Sequence, residues 1–179
     1  YKGIFTILSS CASRQLEEVT FRCTVIPVQE LLDAAGKYFK KLMKNRPERI
    51  ELEIEPMEAK VIGDVNQLRF LLENLIDEAL TVREDGVIRL QARKDNEYVR
   101  FLFTDTRREK SVEELNQLFY PNLARMTSGE KGELRGTEYL VCKQIIRDHD
   151  EFAGRRGCRI NAEPAEGGGF TVYFTIPRR

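Results

Sequence analysis

The sequence predicts an α+β fold: a two-layer sandwich in which a mixed β-sheet carries its helices on one face. Segments with strand periodicity and segments with helix periodicity are mixed along the chain. They include two pairs of neighbouring strand-like segments with the spacing of hairpins, one within residues 86–104 and one within residues 158–176. Because hairpin strands are antiparallel, this order favours an α+β layer over a doubly wound parallel sheet.

The composition excludes several classes of protein. The 179 residues include 29 basic and 29 acidic side chains and one His, so the formal net charge is zero. This balance argues against a nucleic-acid-binding domain and against a polybasic membrane patch, both of which need an excess of Lys and Arg. With 41% hydrophobic and 32% charged residues, the chain is neither disordered nor membrane-embedded. Its four cysteines lack the spacing of a zinc site, and we expect reduced thiols in a cytoplasmic domain.

The first half of the chain contains three stretches with apolar side chains at helical spacing, which predict helices at residues 3–19, Val28–Met43 and residues 65–82. Residues 21–28 predict a strand that Pro27 ends. In a second strand, Ile50, Leu52 and Ile54 alternate with glutamates, which indicates one buried and one exposed face.

The second half of the chain predicts strands at residues 86–92, 98–104, 158–162 and 170–176, and helices at residues 112–119 and 137–148. Polar residues at 94–97 and three glycines at 167–169 provide the turns between paired strands. Residues 120–136 are polar, contain glycine and have no periodicity, which predicts a long loop. Long loops in compact domains often act as lids over a binding site.

Asn74 and Glu78 lie at the edge of the apolar face of the helix predicted at residues 65–82. Side chains four residues apart project from the same side of a helix, so the two can point into a cleft and share a ligand or a metal ion. Polar residues at the border of an amphipathic helix are also common without any binding role, and the spacing alone favours this ordinary interpretation.

This helix and its surroundings resemble the N-box region of the histidine-kinase-like ATP-binding domain, the family also called GHKL or Bergerat-fold ATPases. The matching residues are Val61-Ile62-Gly63-Asp64, Leu68, Leu71-Leu72 and Asn74-Leu75-Ile76-Asp77-Glu78-Ala79. The order of elements from about Thr20 to Pro177 and the closing glycine turn and strand are similar to the family as well. The resemblance implies a Bergerat-type fold over residues 20–179.

The resemblance also implies ATP and Mg²⁺ as ligands. Carried over residue by residue, it assigns Asp105 to the adenine amino group, and Asn74 and Glu78 to magnesium and phosphate. Gly136 is the surviving residue of the family's second glycine motif, in which backbone N–H groups at a helix start hold the phosphates. Residues 120–136 would then be the lid over the nucleotide.

Four positions depart from the family pattern. Arg107 stands where the family's Asp-x-Gly motif has its glycine, Glu138 takes a glycine position, Glu78 replaces an Asn, and Gly169 replaces a small hydroxyl residue. Glu138 would repel a phosphate 4 Å away by about 4 kcal/mol at an effective dielectric near 20, whereas Glu78 remains a suitable ligand for a hard cation. We expect a degenerate nucleotide site on a retained fold, with residues 107–110 forming a solvent-facing turn.

These residues predict the signal-transduction domain of a two-component sensor histidine-kinase-like protein that acts mainly as a regulatory or interaction module, a pseudokinase. The alternative is an active ATP-dependent protein histidine kinase, which transfers the γ-phosphoryl group to a His on a partner helix. The implied partners are the phosphoacceptor and dimerisation helices of the same protein and a response regulator or a partner kinase. His149 ends the last predicted helix, where the dipole favours an imidazolium, and we expect a structural role for it.

Residues 1–19 fit, by position, the end of the family's dimerisation hairpin. Their apolar stripe would then pack against a second chain in a homodimer of the full-length protein; folding back onto the domain is the alternative. Because the chain begins at Tyr1 and enters an apolar run directly, we expect it to be a cytoplasmic fragment of a longer protein, with any membrane anchor outside it.

Overall fold

The computed structural model describes residues 21–120, 127–128, 134–135, 138–154 and 156–179. The helix predicted at residues 3–19 lies outside these ranges, as do Gly136 and most of the predicted lid.

The described elements are, in chain order, β1 (Thr24–Pro27), α1 (Val28–Met43), β2 (Ile50–Ile54), β3 (Lys60–Gly63), α2 (Val65–Ala79), β4 (Gly86–Asp95), β5 (Tyr98–Asp105), α3 (Val112–Gln117), β6 (Thr127–Ser128), β7 (Leu134–Arg135), α4 (Glu138–Phe152), β8 (Ile160–Pro164) and β9 (Phe170–Pro177). Five strands form one sheet in the order β2-β4-β5-β9-β8. The β2–β4 pair is parallel and the other three pairs are antiparallel, so the sheet is mixed. β1 and β3 form a separate antiparallel ribbon.

Alternating burial gives this sheet one covered face. In β5, Val99, Phe101 and Phe103 are buried, while Arg100 and Leu102 between them stay partly exposed. The Phe101 ring stacks on a phenylalanine ring of β9, with the ring centroids 4.8 Å apart. Period-two burial is the signature of a sheet that packs on one side only. The helices cover that side, and the predicted two-layer α+β fold with a mixed sheet is confirmed.

The helices bury the apolar stripes that the sequence predicted. The stripe of α1 consists of Val28, Leu31, Leu32, Ala35 and Phe39, and that of α2 includes Leu68, Leu71, Leu72, Leu75, Ile76 and Ala79. Each fully buried aliphatic side chain stabilises the fold by roughly 1.5–3 kcal/mol. Helix α2 packs against both α1 and α4. In the described part of the chain, no helix has the length and hydropathy that crossing a membrane requires.

The start of α2 is held by Asp64 and His149. Asp64 caps the helix, since its Oδ1 accepts the backbone N–H groups of Asn66 and Gln67 at 3.0 and 3.1 Å. The backbone N–H of Asp64 in turn donates to Nε2 of the fully buried His149 at 3.1 Å. Because Nε2 accepts, the imidazole is neutral and carries its proton on Nδ1, 2.8 Å from the Ile145 carbonyl oxygen. The expected imidazolium is therefore wrong, and His149 joins α4 to the start of α2.

Several helix ends differ from their predicted positions, and the helix predicted at residues 112–119 ends at Gln117. The helix predicted to reach residue 82 ends at Ala79, because the N–H groups of Thr81 and Val82 bond to the carbonyls three residues back, as in a tighter turn. The helix predicted to end at residue 148 continues to Phe152. His149 is buried there like an apolar residue, although its polarity interrupted the apolar pattern.

Several strands also differ. The strand predicted at residues 21–28 is limited to Thr24–Pro27, because the N–H of Arg22 donates to the Asp64 side chain instead of a strand partner. The strand predicted at residues 158–162 starts later, at Ile160, since the N–H of Cys158 bonds to the Asp150 carboxylate. β3 was not predicted, and β6 and β7 form a short antiparallel pair inside the predicted structureless loop.

Candidate functional site

The C-terminal half of α2 carries Asn74 and Glu78, four residues apart and therefore on the same side of the helix. Asn74 is 8% exposed, and its amide nitrogen donates to the Phe70 carbonyl oxygen at 2.6 Å. Glu78 is half-buried. An amide oxygen and a carboxylate are the ligand types that Mg²⁺ accepts, and their role as magnesium ligands stays a prediction.

Asp105 is the last residue of β5, where the strand pairs with β4 on one side and β9 on the other. Its carboxylate binds the guanidinium of Arg107 in a bidentate ion pair, Nε to Oδ1 at 2.9 Å and Nη2 to Oδ2 at 2.9 Å. The backbone N–H of Arg107 also donates to Oδ1, at 3.0 Å. Only 1% of the Arg107 side chain and 4% of the Asp105 side chain are exposed. This burial makes the expected solvent-facing turn wrong at Arg107.

The remaining N–H groups of the Arg107 guanidinium bond to backbone carbonyls at the end of α2 and in the turn after it. Nη1 donates to the carbonyl oxygens of Val82 and Glu84, both at 2.9 Å, and Nη2 donates to that of Ala79 at 2.6 Å. An Arg guanidinium has five N–H donors, and each of them has a separate acceptor oxygen here. Arg107 therefore joins the end of β5 to the C-terminal end of α2.

Two glycines, Gly86 and Gly169, leave space for the Arg107 side chain and for the backbone of Asp105. A Cβ atom at Gly86 would lie 2.5 Å from Cγ of Arg107. A Cβ atom at Gly169 would lie 2.1 Å from the Asp105 carbonyl oxygen. Both distances are far shorter than a van der Waals contact, so neither position accepts a side chain without movement of its neighbours. The glycine that replaces the family's hydroxyl residue at position 169 thus has a steric role beside Asp105.

Helix α4 contributes Lys143 close to Tyr120, the first residue of the predicted lid. Lys143 on α4 donates from Nζ to the Phe119 carbonyl oxygen at 3.2 Å, and Nζ lies 4.2 Å from the centre of the Tyr120 ring. Burial, followed by repulsion from Arg147, lowers the pKa of Lys143 below its usual value. Glu138 is the first residue of α4, while Gly136 lies outside the described residues.

Metal ligands are sparse in this site. Within the ranges that the structure describes, no three or more His, Cys, Asp or Glu side chains are grouped to hold a metal ion. A cation at Asn74 and Glu78 would need further ligands from water or from a phosphate group.

Sequence reasoning missed the inward orientation of Arg107. It recognised that an arginine stands at a glycine position, but the acceptors at Ala79, Val82 and Glu84 come from another part of the chain. A run of four charged residues at 107–110 is typical of a solvated turn, and no local signal separates Arg107 from its exposed neighbour Arg108.

Comparison with solved structures relates the fold to known proteins. The catalytic domain of histidine kinase ThkA is 22% identical, with a TM-score of 0.68 over 88% of this chain and 96% of that chain. The mycobacterial sensor histidine kinase MprB is 18% identical, with a TM-score of 0.68 over 88% of this chain and 99% of that chain. Histidine kinase ThkA in complex with the response regulator protein TrrA is 19% identical, with a TM-score of 0.66 over 99% of this chain and 49% of that chain.

Comparison with sequences supports the same relationship. No curated protein matches the chain. The model of the histidine kinase-, DNA gyrase B- and HSP90-like ATPase family matches residues 63–179, which contain α2, Asp105 and the closing glycine turn and strand. The matched region covers more than half of the 179 residues. The chain therefore belongs to the histidine kinase-, DNA gyrase B- and HSP90-like ATPase family.

Proposed function

We propose that the chain is a regulatory or interaction domain of a two-component sensor histidine-kinase-like protein, and that it acts without using ATP, as a pseudokinase. The family match supports an ATPase-type domain, and the solved structures with a similar fold include catalytic domains of histidine kinases. The absence of catalysis is our own inference from the residues of the site.

The observation that carries this proposal is the engagement of Asp105 by Arg107. An adenine amino group that bonds to Asp105 would have to displace a guanidinium that already fills both carboxylate oxygens at 2.9 Å. Separating the partners of a buried ion pair costs about 3–5 kcal/mol. Each 1.4 kcal/mol is tenfold in affinity, so a loss of about 4 kcal/mol weakens a nucleotide roughly a thousandfold. As arranged, these residues do not fit an adenine base.

The magnesium side of the site supports the alternative of an active kinase. Asn74 and Glu78 retain oxygen atoms suited to a hard cation on one side of α2. An active domain would bind Mg-nucleotide tightly, and Asn74→Ala or Asp105→Ala would abolish that binding. In the pseudokinase proposal, neither substitution changes the response to nucleotide, because there is none to lose.

We propose partners of the same kind as those expected from the family: the phosphoacceptor and dimerisation helices of the same protein, and a response regulator or a partner kinase. Support comes from a similar fold in histidine kinase ThkA, whose structure contains the response regulator protein TrrA. A homodimer of the full-length protein and a cytoplasmic location of this domain are parts of the same proposal.

A titration with Mg-ADP tests the proposed function. A ligand at 100 times its dissociation constant stabilises a protein by about 2.7 kcal/mol, which raises Tm by roughly 5–10 °C for a domain of this size. We expect no rise in the Tm of the 179-residue chain at millimolar Mg-ADP. A rise of several degrees that Asp105→Ala abolishes would establish nucleotide binding at this site and end the pseudokinase proposal.

A further inference from the structure

We propose that the space between the end of β5 and the C-terminal end of α2 is a guanidinium-binding site, and that Arg107 is its resident ligand. This inference deepens the proposed function and rests on it, because both concern the carboxylate of Asp105. It adds the chemical class that the site accepts: planar cations with several N–H donors, in preference to a purine base.

The donors and acceptors in the site match one to one. The acceptors are both carboxylate oxygens of Asp105 and the carbonyl oxygens of Ala79, Val82 and Glu84, at 2.6–2.9 Å from the guanidinium nitrogens. An Arg side chain offers five N–H groups in one plane. The site therefore leaves no donor unused and presents only acceptors.

An adenine base does not match this acceptor set. Its amino group supplies two N–H donors, and the neighbouring ring nitrogens are acceptors. If the amino group donated to Asp105, its two N–H groups would satisfy only some of the acceptors. The ring nitrogens would then face carbonyl oxygens, and the lone pairs of the two kinds of acceptor would repel each other. The carbonyl oxygens of Ala79 and Val82, which are partly buried, would then lose the guanidinium N–H groups, and a carbonyl that loses a donor while shielded from water is unfavourable.

The electrostatics of the site also favour a cation. Its acceptors include the carbonyl of Ala79, the last residue of α2, where the helix dipole is negative, and the Asp105 carboxylate. Arg46 contributes a second guanidinium to the same helix end, since its Nη2 donates to the Leu80 carbonyl oxygen at 2.8 Å. Gly86 leaves room for the Arg107 side chain, because a Cβ at position 86 would lie 2.5 Å from Cγ of Arg107.

Arg108 provides a matched comparison within the same turn. It is the same residue type at the next position, but its side chain is 54% exposed and forms an ion pair with the Glu84 side chain at 2.8 Å. Exposed ion pairs of this kind contribute little to stability. Removing Arg108 therefore controls for the loss of one positive charge from the surface of this turn.

The test is chemical rescue of Arg107→Ala in the 179-residue chain. We expect Arg107→Ala to melt well below the wild type and Arg108→Ala to melt close to it. Guanidinium or methylguanidinium, at about ten times its dissociation constant and far below denaturing concentrations, should raise the Tm of Arg107→Ala by roughly 3–6 °C. Guanidinium should not raise the Tm of the wild type, nor that of the double variant that combines Arg107→Ala with Asp105→Asn. Sodium chloride or ammonium chloride at the same concentration should not raise the Tm of Arg107→Ala.

Two results would overturn the inference: an Arg107→Ala variant whose Tm does not respond to guanidinium, or one that adenosine stabilises more than guanidinium does. These results leave the proposed function intact, because that function is tested by Mg-ADP on proteins that retain Arg107.

A measurement on the wild type covers the case in which Arg107→Ala does not fold. Arginine side-chain nitrogen NMR reports how fast the Nε–H exchanges with water, and a buried, bonded Nε–H is protected. We expect the Nε–H of Arg107 to exchange at least about tenfold more slowly than that of Arg108. Equal exchange at the two positions would show that Arg107 does not occupy the site.

Discussion

At the residue scale, the position of Asp105 depends on the absence of a side chain at Gly169. Gly169 has a φ of +83°, and a Cβ there would lie 2.1 Å from the Asp105 carbonyl oxygen and 2.7 Å from Cα of Thr106. These neighbours are backbone atoms, which cannot rotate away as a side chain does. The turn after β5 and the start of β9 are therefore in contact through a glycine.

The pair Gly169→Ala and Gly167→Ala tests this contact. Gly167 has a similar φ of +89°, but a Cβ atom added there would have no neighbouring atom within 4 Å, so Gly167→Ala should lose only the roughly 1–2 kcal/mol of a left-handed alanine. Gly169→Ala should lose a further 1–3 kcal/mol or so, because the backbone must move. Urea unfolding of both variants measures the difference. Equal losses would mean that the contact with Asp105 does not constrain the fold.

The residues of the candidate site include some whose positions the sequence predicts and one, Arg107, whose orientation it does not predict. Helical periodicity placed Asn74 and Glu78 on one side of a helix, which follows from local geometry. Strand periodicity predicted a strand that ends at residue 104, one residue before the observed end of β5 at Asp105. The orientation of Arg107 depends on carbonyls that are more than 20 residues away along the chain. Only the assembled fold brings those acceptors within reach, so no local pattern contains the contact.

At the element scale, α2 is the helix on which the candidate site is built, and Asp64 fixes its start. Oδ1 of Asp64 accepts the N–H groups of Asn66 and Gln67, and Oδ2 accepts the N–H of Arg22 at 3.0 Å. Unbonded N–H groups at a helix start are costly when they are shielded from water. Asp64 is itself 7% exposed, so water does not easily replace its carboxylate.

Asp64→Ala should destabilise the protein by about 1–2 kcal/mol, the usual loss for a helix cap. Asp64→Asn should retain most of the stability, because an amide oxygen still accepts the first-turn N–H groups. Ser111→Ala removes the exposed cap of the short α3 and should cost less than Asp64→Ala. Urea midpoints at pH 7 give the order. If Ser111→Ala costs as much as Asp64→Ala, the burial of the Asp64 cap does not matter.

The observed helix boundaries show where the periodicity of apolar residues predicts a helix end correctly and where it does not. The predicted limits of α1 coincide with the observed Val28–Met43, because Pro27 and a continuous apolar stripe define them. The ends of α2 and α4 do not coincide, since they depend on a tighter turn at Thr81 and on the burial of His149. A tighter turn at the end of one helix and a buried polar residue in the other are thus the features that apolar periodicity did not predict.

At the scale of the whole molecule, the charged side chains that sum to zero net charge form both exposed and buried ion pairs. Glu53 of β2 forms an ion pair with Arg89 of β4 at 3.5 Å, and Glu55, just after β2, forms one with Arg93 of β4 at 2.9 Å. All four side chains are about half exposed. Such pairs contribute little and are screened by salt. The pair of Arg107 with Asp105 is buried instead, and it includes the residue that was predicted to contact adenine. Equal numbers of charges therefore predict neither stability nor ligand.

The response of the whole fold to acid depends on carboxylates that the native state holds ionised, and Asp150 is the clearest of them. Burial alone would raise the pKa of Asp150, but the N–H of Gly157, the Arg156 guanidinium and the N–H of Cys158 together lower it below its usual value. A carboxyl group whose pKa is lower in the folded state stabilises the fold above its unfolded pKa. That stabilisation is lost as the pH falls through the folded pKa.

Asp150→Asn should therefore reduce stability at pH 7, and the difference from the wild type should shrink as the pH falls below about 4, where an aspartate begins to protonate. Glu151→Gln, at the next position and with an exposed side chain, is the matched control and should change little at either pH. Urea midpoints between pH 7 and pH 3 for the three proteins measure the effect. A difference between Asp150→Asn and the wild type that stays constant or grows toward low pH would contradict the stabilising role of the Asp150 carboxylate. It would also contradict the importance of the hydrogen bonds from Gly157 and Cys158 to this carboxylate, after which β8 begins at Ile160.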